Sequence, residues 1–152
     1  GVAHDEAEHF ALLSRHLVNM GITYGDLPAH NGLWEAASST HHDVLARLAL
    51  VPMVLEARGL DTTPTAVARL EANGDAVTAA ILEKIGREEM PHVAAGVRWF
   101  EYVATNRGLD PVATFHDLVA KLFAGSMKPP FNAQARIAAG MSEAYFRPYE
   151  SN

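Results

Sequence analysis

Apolar residues recur at steps of three and four along nearly the whole chain, the period of one helix face rather than of a strand. Glycine, proline and capping residues divide this pattern into segments. The first helix runs from the start to about Met20, where Gly21 is a C-terminal stop. Residues 21–40 read as a long connection with one short helix around Trp34. Ser39 or Thr40 then caps a second long helix that ends near Gly59. Thr63-Pro64, an N-cap with proline at the first helical position, starts a short helix that ends at Asn73-Gly74. Asp75 opens the longest helix, which lasts to about Asn106 and stops at Arg107-Gly108. Asp110-Pro111 repeats the cap-plus-proline start for a helix to about Ala124. Pro129 and Pro130 interrupt the helical pattern beyond it, and Asn132 and Ser142 cap two short final helices. No segment shows strand alternation, so the fold class is all-α, and 152 residues suit one domain.

Helical phase puts charge where apolar side chains belong. The first helix carries the stripe Val2, Glu6, His9, Leu13, Leu17, Met20. The second carries Leu45, Leu48, Ala49, Pro52, Glu56. The longest carries Thr78, Leu82, Ile85, Glu89, His92, Gly96, Trp99, Val103. Three core stripes thus hold three glutamates and two histidines. An unpaired ionised carboxylate in an apolar core costs several kcal/mol or more, and a pair of bound cations removes that cost for all five groups at once. Glu6-Ala7-Glu8-His9 and Glu89-Met90-Pro91-His92 are both Glu-x-x-His, which sends both side chains to one side of a helix. Di-iron and di-manganese bundles use two such pairs plus a Glu from each of two further helices. The expected metal ligands are Glu6, His9, Glu56, Glu89 and His92. The spacing alone is a weak signal in a chain with eight histidines; the coincidence with core stripes strengthens it. Glu88, one step out of phase and a turn from Lys84, reads as solvated.

Composition narrows the chemistry. There is no cysteine, so disulfides, zinc–thiolate sites and iron–sulfur clusters are excluded. Carboxylates with imidazoles suit iron or manganese better than zinc or copper. A net charge of −6 with scattered Lys and Arg gives no basic face, so nucleic acid is not an expected partner. No apolar run is long enough to cross a membrane, and a cytoplasmic location is expected. Helical periodicity is already running at residue 2, without Met or a cap, so upstream sequence is expected.

Other chemistry-bearing residues are assigned background roles. His30 lies in a surface turn, His41 and His42 flank a helix start, and His4 and His16 sit one step off the core stripe. His116 has no metal spacing, Trp99 and Phe100 are packing residues, and nothing places Tyr24 near the metals. Pro52, one turn before Glu56, and Pro91, inside the second Glu-x-x-His, each free a carbonyl and bend the helix, which can aim a ligand.

The segments His4–Phe10, Tyr24–Trp34, Leu48–Asp61 and Lys128–Asn132 resemble the bacterial ferritin-like family called domain of unknown function 455. The match covers nearly the whole chain. More distantly, the ligand pattern is similar to that of a di-iron hydroxylase acting on modified tRNA. The resemblance implies a ferritin-like four-helix bundle with ligands in the order Glu, Glu-x-x-His, Glu, Glu-x-x-His. Glu6 and His9 would then be the second-helix pair, Glu56 the third-helix ligand, and Glu89 and His92 the fourth-helix pair. The helix that should supply the first Glu is missing from this chain; a homo-oligomer, with that helix supplied by another chain, is one way to fill its place. The functional expectation is a dioxygen-activating oxidoreductase with two metal ions, iron foremost (manganese or a mixed pair are the variants), acting on an unidentified small molecule. Iron oxidation, storage or detoxification is the second expectation, and a purely structural helical module the third.

Overall fold

A computed structural model describes residues 1–150, and among them every regular element is helical. The helices are α1 (Val2–Asn19), α2 (Gly32–Ser39), α3 (Val44–Leu50), α4 (Ala57–Ala72), α5 (Ala76–Asn106), α6 (Pro111–Leu122) and α7 (Ala133–Ala138). A π-helical turn, Val51–Glu56, joins α3 to α4, and two short 3₁₀ turns close the described chain. No helix is long and apolar enough to cross a membrane.

Most expected boundaries hold because local chemistry sets them. Asp75, Asp110 and Asn132 each accept a hydrogen bond from a backbone N–H in the first turn of α5, α6 and α7. Gly74 takes φ 81° at the end of α4, which lets the Asp75 N–H reach back to the Leu70 carbonyl. Only three residues then separate α4 from α5, so the two form an antiparallel hairpin.

Three expectations are corrected. The cap of the second long helix is Asp43, which accepts from the Leu45 N–H, and not Ser39 or Thr40. Thr40 instead ends α2; its buried hydroxyl donates to the Ala36 carbonyl and accepts from Arg47 Nε at 2.8 Å. Nor does the helix end near Gly59: α4 continues through Thr63-Pro64 to Ala72. Pro64 offers no N–H to the Leu60 carbonyl, but Asn132 Nδ2 donates to that oxygen at 3.2 Å. The gap that proline leaves is filled from another element, so the helix has no need to stop. Trp99, expected in the core, is 51% exposed and stacks edge-on against Tyr102, whereas its neighbour Phe100 is fully buried.

The core lies among α3, the π turn, α4, α5, α6 and the C-terminal segment, around Leu45, Met53, Phe100, Phe115, Met141 and Tyr145. One ion pair is sealed within it. Arg136 grips Asp61 through Nε at 2.9 Å and Nη2 at 2.7 Å, and its guanidinium lies against the rings of Phe131 and Phe146. Asp61 also accepts from the Asn132 N–H, fixing the segment after the proline pair onto α4. By contrast, α1 packs chiefly on α5. Of its expected stripe only His9 is buried; Val2, Leu13 and Met20 are exposed, because among the described residues no second element covers that flank.

Candidate metal centre

The cluster forms where α1 crosses α5. His9 and His92 face each other with ring centroids 5.9 Å apart. His92 Nδ1 lies 2.9 Å from Glu6 Oε1 and 3.2 Å from Glu89 Oε2. His9 Nδ1 lies 3.5 Å from Glu89 Oε1 and 3.9 Å from Glu6 Oε1. Each Nδ1 therefore meets the glutamate of its own helix and that of the other. One donor atom each from Glu6, Glu89 and His92 fall within 4.8 Å of one another, a grouping compact enough for one cation.

The outer nitrogens are tied down crosswise. His92 Nε2, on α5, is 3.1 Å from Asp5 Oδ2 on α1; His9 Nε2, on α1, is 3.0 Å from Glu88 Oε2 on α5. The His92 hydrogen bond holds the Asp5 carboxyl below its ordinary range. Lys84, 2.7 Å from Glu88 Oε1, and then His9 do the same for Glu88. Ionised carboxylates only accept, so each histidine donates through Nε2. A neutral imidazole that donates from Nε2 carries its lone pair on Nδ1. Both Nδ1 lone pairs then point at carboxylate oxygens, which are acceptors too.

Such an arrangement of acceptors needs a cation at its centre. A proton on His92 Nδ1 is one solution: burial works against it, but the Asp5 hydrogen bond and the Glu89 charge outweigh burial and raise the His92 pKa. His9 Nδ1 is different, for it is buried without any hydrogen-bond partner. An orphaned imidazole nitrogen facing carboxylates suits a metal ligand whose tautomer is set by the bond on its far side. The residues present therefore fit a divalent cation.

Glu56 belongs to the same electrostatic field. It ends the π turn, half-buried, and its carboxyl is pushed up to about 7, first by burial and then by the charges of Glu89 and Glu6. Its links to the cluster run through charge rather than a hydrogen bond. Burial, then Glu6, also raises Glu89. So Glu56 and Glu89 resist ionisation while the outer pair, Asp5 and Glu88, stay charged.

The structure thus groups Glu6, Glu89 and His92 tightly, sets His9 beside them and leaves Glu56 in charge contact. Glu6 corrects the expectation of inward-turned groups: its side chain is 46% exposed, against 16% for Glu89 and 2% for His92, because the outer side of α1 is uncovered. Glu88 corrects a second, since it bonds His9 as well as Lys84. Helical phase does not single out Asp5. A signal is nonetheless present: the residue immediately before the Glu of each Glu-x-x-His is acidic, Asp5 in one and Glu88 in the other. His16, assigned no role, ties α1 to α5 through Nε2 and Thr78 Oγ1 at 2.7 Å. His30 and His41 bond only their local backbone, His116 holds Tyr149 and the Ala144 carbonyl, and Tyr24 is exposed against Phe10.

The fold and the cluster define an all-helical protein with a carboxylate–histidine centre between two helices. The chain belongs to the family described as Protein of unknown function (DUF455), whose model matches residues 1–147. It is also 43% identical over 142 residues to a Haemophilus influenzae protein described as uncharacterized, an alignment that covers 93% of this chain and 49% of that protein. The chain spans about half the length of that relative. No solved structure matches it.

Proposed function

We propose that this protein is a ferritin-like metalloprotein that binds two metal ions, iron foremost, through Glu6, His9, Glu56, Glu89 and His92, and that it works as an oxidoreductase. The observation that supports it above the others is the buried His9 Nδ1, which has no hydrogen-bond partner and faces Glu89 and Glu6. In a purely structural cluster a buried imidazole nitrogen is ordinarily hydrogen-bonded. Oxygen-rich, imidazole-containing donor sets favour iron or manganese.

A bound pair of redox-active ions supplies electrons to dioxygen. The chain's own residues do the rest. Glu6 and Glu89, each near both histidines, would hold the ions together with His9 and His92, and Glu56, in charge contact with Glu6 and Glu89, would add a further carboxylate. Asp5 and Glu88 hold the imidazoles with Nδ1 inward. His92, Glu56 and Glu89 all have raised pKa values, so a cation bound there would compete with protons and its uptake would release them. The Glu6 side chain is half-open to solvent, while His9 and His92 lie sealed from water.

Metal analysis of the purified protein beside Glu56→Ala and His92→Ala tests the reading. Two ions per chain are expected in the wild type and a deficit in both variants. Full occupancy in either variant removes that residue from the ligand set, and an empty wild type refilled with ferrous or manganous ion to no effect ends the proposal.

A further inference from the structure

The π turn that carries Glu56 is seated against a single glycine of the opposite helix. Gly96 lies one helical turn beyond His92, and both it and Pro52 are buried. A Cβ added at position 96 would overlap Pro52 Cβ and stand 2.5 Å from Pro52 Cγ. Nothing larger than a hydrogen atom fits there, and a proline ring cannot swing aside as a flexible side chain can. Pro52 in turn shapes the wide turn. It has no N–H to donate to the Leu48 carbonyl, so the ordinary helical bond is missing at that point. Its own carbonyl accepts from the Ala57 N–H, five residues on, which closes the turn around Glu56. One extra residue in a turn rotates the residues beyond it by about 100° relative to an uninterrupted α-helix.

We propose that the Pro52–Gly96 contact positions Glu56 toward Glu6 and Glu89, Gly96 admitting the proline ring and the ring fixing the turn that sets the carboxylate's direction. Gly96 and Pro52 are positioning residues that touch no ligand themselves. The inference rests on the metal-centre reading for its consequence, though the geometric link stands without it.

Gly86 supplies a matched control. It too is a close approach on α5, where a Cβ would come within 2.7 Å of Thr63 Cγ2, but its neighbour lies in α4 beyond the π turn. Cobalt(II) titrations of folded wild type, Gly96→Ala, Gly86→Ala and Pro52→Ala give the affinities. Gly96→Ala and Pro52→Ala should each weaken binding by roughly 10-fold or more, in the range seen when groups supporting ligands are removed, and Gly86→Ala by less than about 2-fold. In a Glu56→Ala background, Gly96→Ala should cause no further loss, because its effect runs through the side chain already removed. Unchanged affinity in both Gly96→Ala and Pro52→Ala, an equal loss in Gly86→Ala, or an undiminished loss in the Glu56→Ala background each overturns the proposal. Should the wild type bind no cobalt, the metal reading fails separately. Crystal structures of Gly96→Ala and Gly86→Ala then decide the positioning claim, which requires Glu56 to turn away in the first and stay in place in the second.

Discussion

Glu56 gives the clearest test of whether the cluster is short of positive charge. Its carboxyl is raised from 4.5 to about 7 when folded, by burial and by Glu89 and Glu6. A raised carboxyl pKa means that the folded state holds the proton more tightly than the unfolded chain. The contribution of Glu56 to the stability of the metal-free protein is therefore fully present below about pH 4.5 and is lost as pH rises from there to about 7, with the penalty constant above. At about 1.36 kcal/mol per unit the full shift would amount to roughly 3 kcal/mol; Glu56 is only half-buried, and screening by solvent reduces this to about 1–2 kcal/mol. Glu56→Gln removes the charge and keeps the shape. In EDTA at pH 8 the variant should be more stable than wild type by that amount, which for a chain of this size is a rise in Tm of about 3–6 °C, and at pH 4.5 the two should coincide. Added ferrous or manganous ion should reverse the order: at 100 times Kd the wild type gains about 2.7 kcal/mol and the variant much less. Thermal melts at the two pH values, with and without metal, read all four conditions. A Gln variant no more stable than wild type at pH 8 without metal, or one that gains as much from metal, refutes the reasoning.

The contacts lead to three further expected outcomes. Asp5→Ala and Glu88→Ala free the Nε2 of His92 and His9, and each should weaken metal binding by about 10–100-fold in a cobalt(II) titration; an unaltered isotherm would show that the crosswise bonds set nothing. Asp61→Ala, which strands the Arg136 guanidinium in the core, should cost about 3–5 kcal/mol in urea denaturation, while the double change Asp61→Leu with Arg136→Met should recover most of it. Asp110→Ala should cost about 1 kcal/mol through the lost cap of α6 and leave metal affinity as it was, which separates global stability from the centre.

What the sequence discloses and what it hides divide along physical lines. Asp75, Asp110 and Asn132 are legible because a cap acts on its own neighbours within one turn. Gly59 misleads as a helix end because the donor that rescues Leu60 comes from Asn132, 72 residues away in sequence. The phase of α5 correctly brings Glu89 and His92 to one face, yet the same phase places Trp99 in a core it does not enter. Periodicity tells which side chains share a face, not whether another element covers every part of that face. The partners Asp5 and Glu88 are hidden for a related reason. They sit one position from the Glu-x-x-His face, where a single helix exposes them, and only the crossing of a second helix puts them against its histidine.

That crossing bears on how α1 is held. A helix that buries apolar side chains is anchored by area, at about 25 cal/mol for each Å² removed from water. α1 buries one side chain fully, and that side chain is His9. Its ties to α5 are mainly polar: His9 with Glu88, Asp5 and Glu6 with His92, and His16 with Thr78. Inner carboxyls that repel one another oppose this docking, and a cation between them favours it. On the proposed metal-centre reading, metal binding and the seating of α1 would be one equilibrium, since whatever binds the docked form alone stabilises it by mass action. Backbone amides of residues 5–16 should exchange with deuterium more slowly on metal addition, whereas those of α6, remote from the centre, should not change. Equal protection of α1 in EDTA and in metal would show that the helix is held by something other than the cluster.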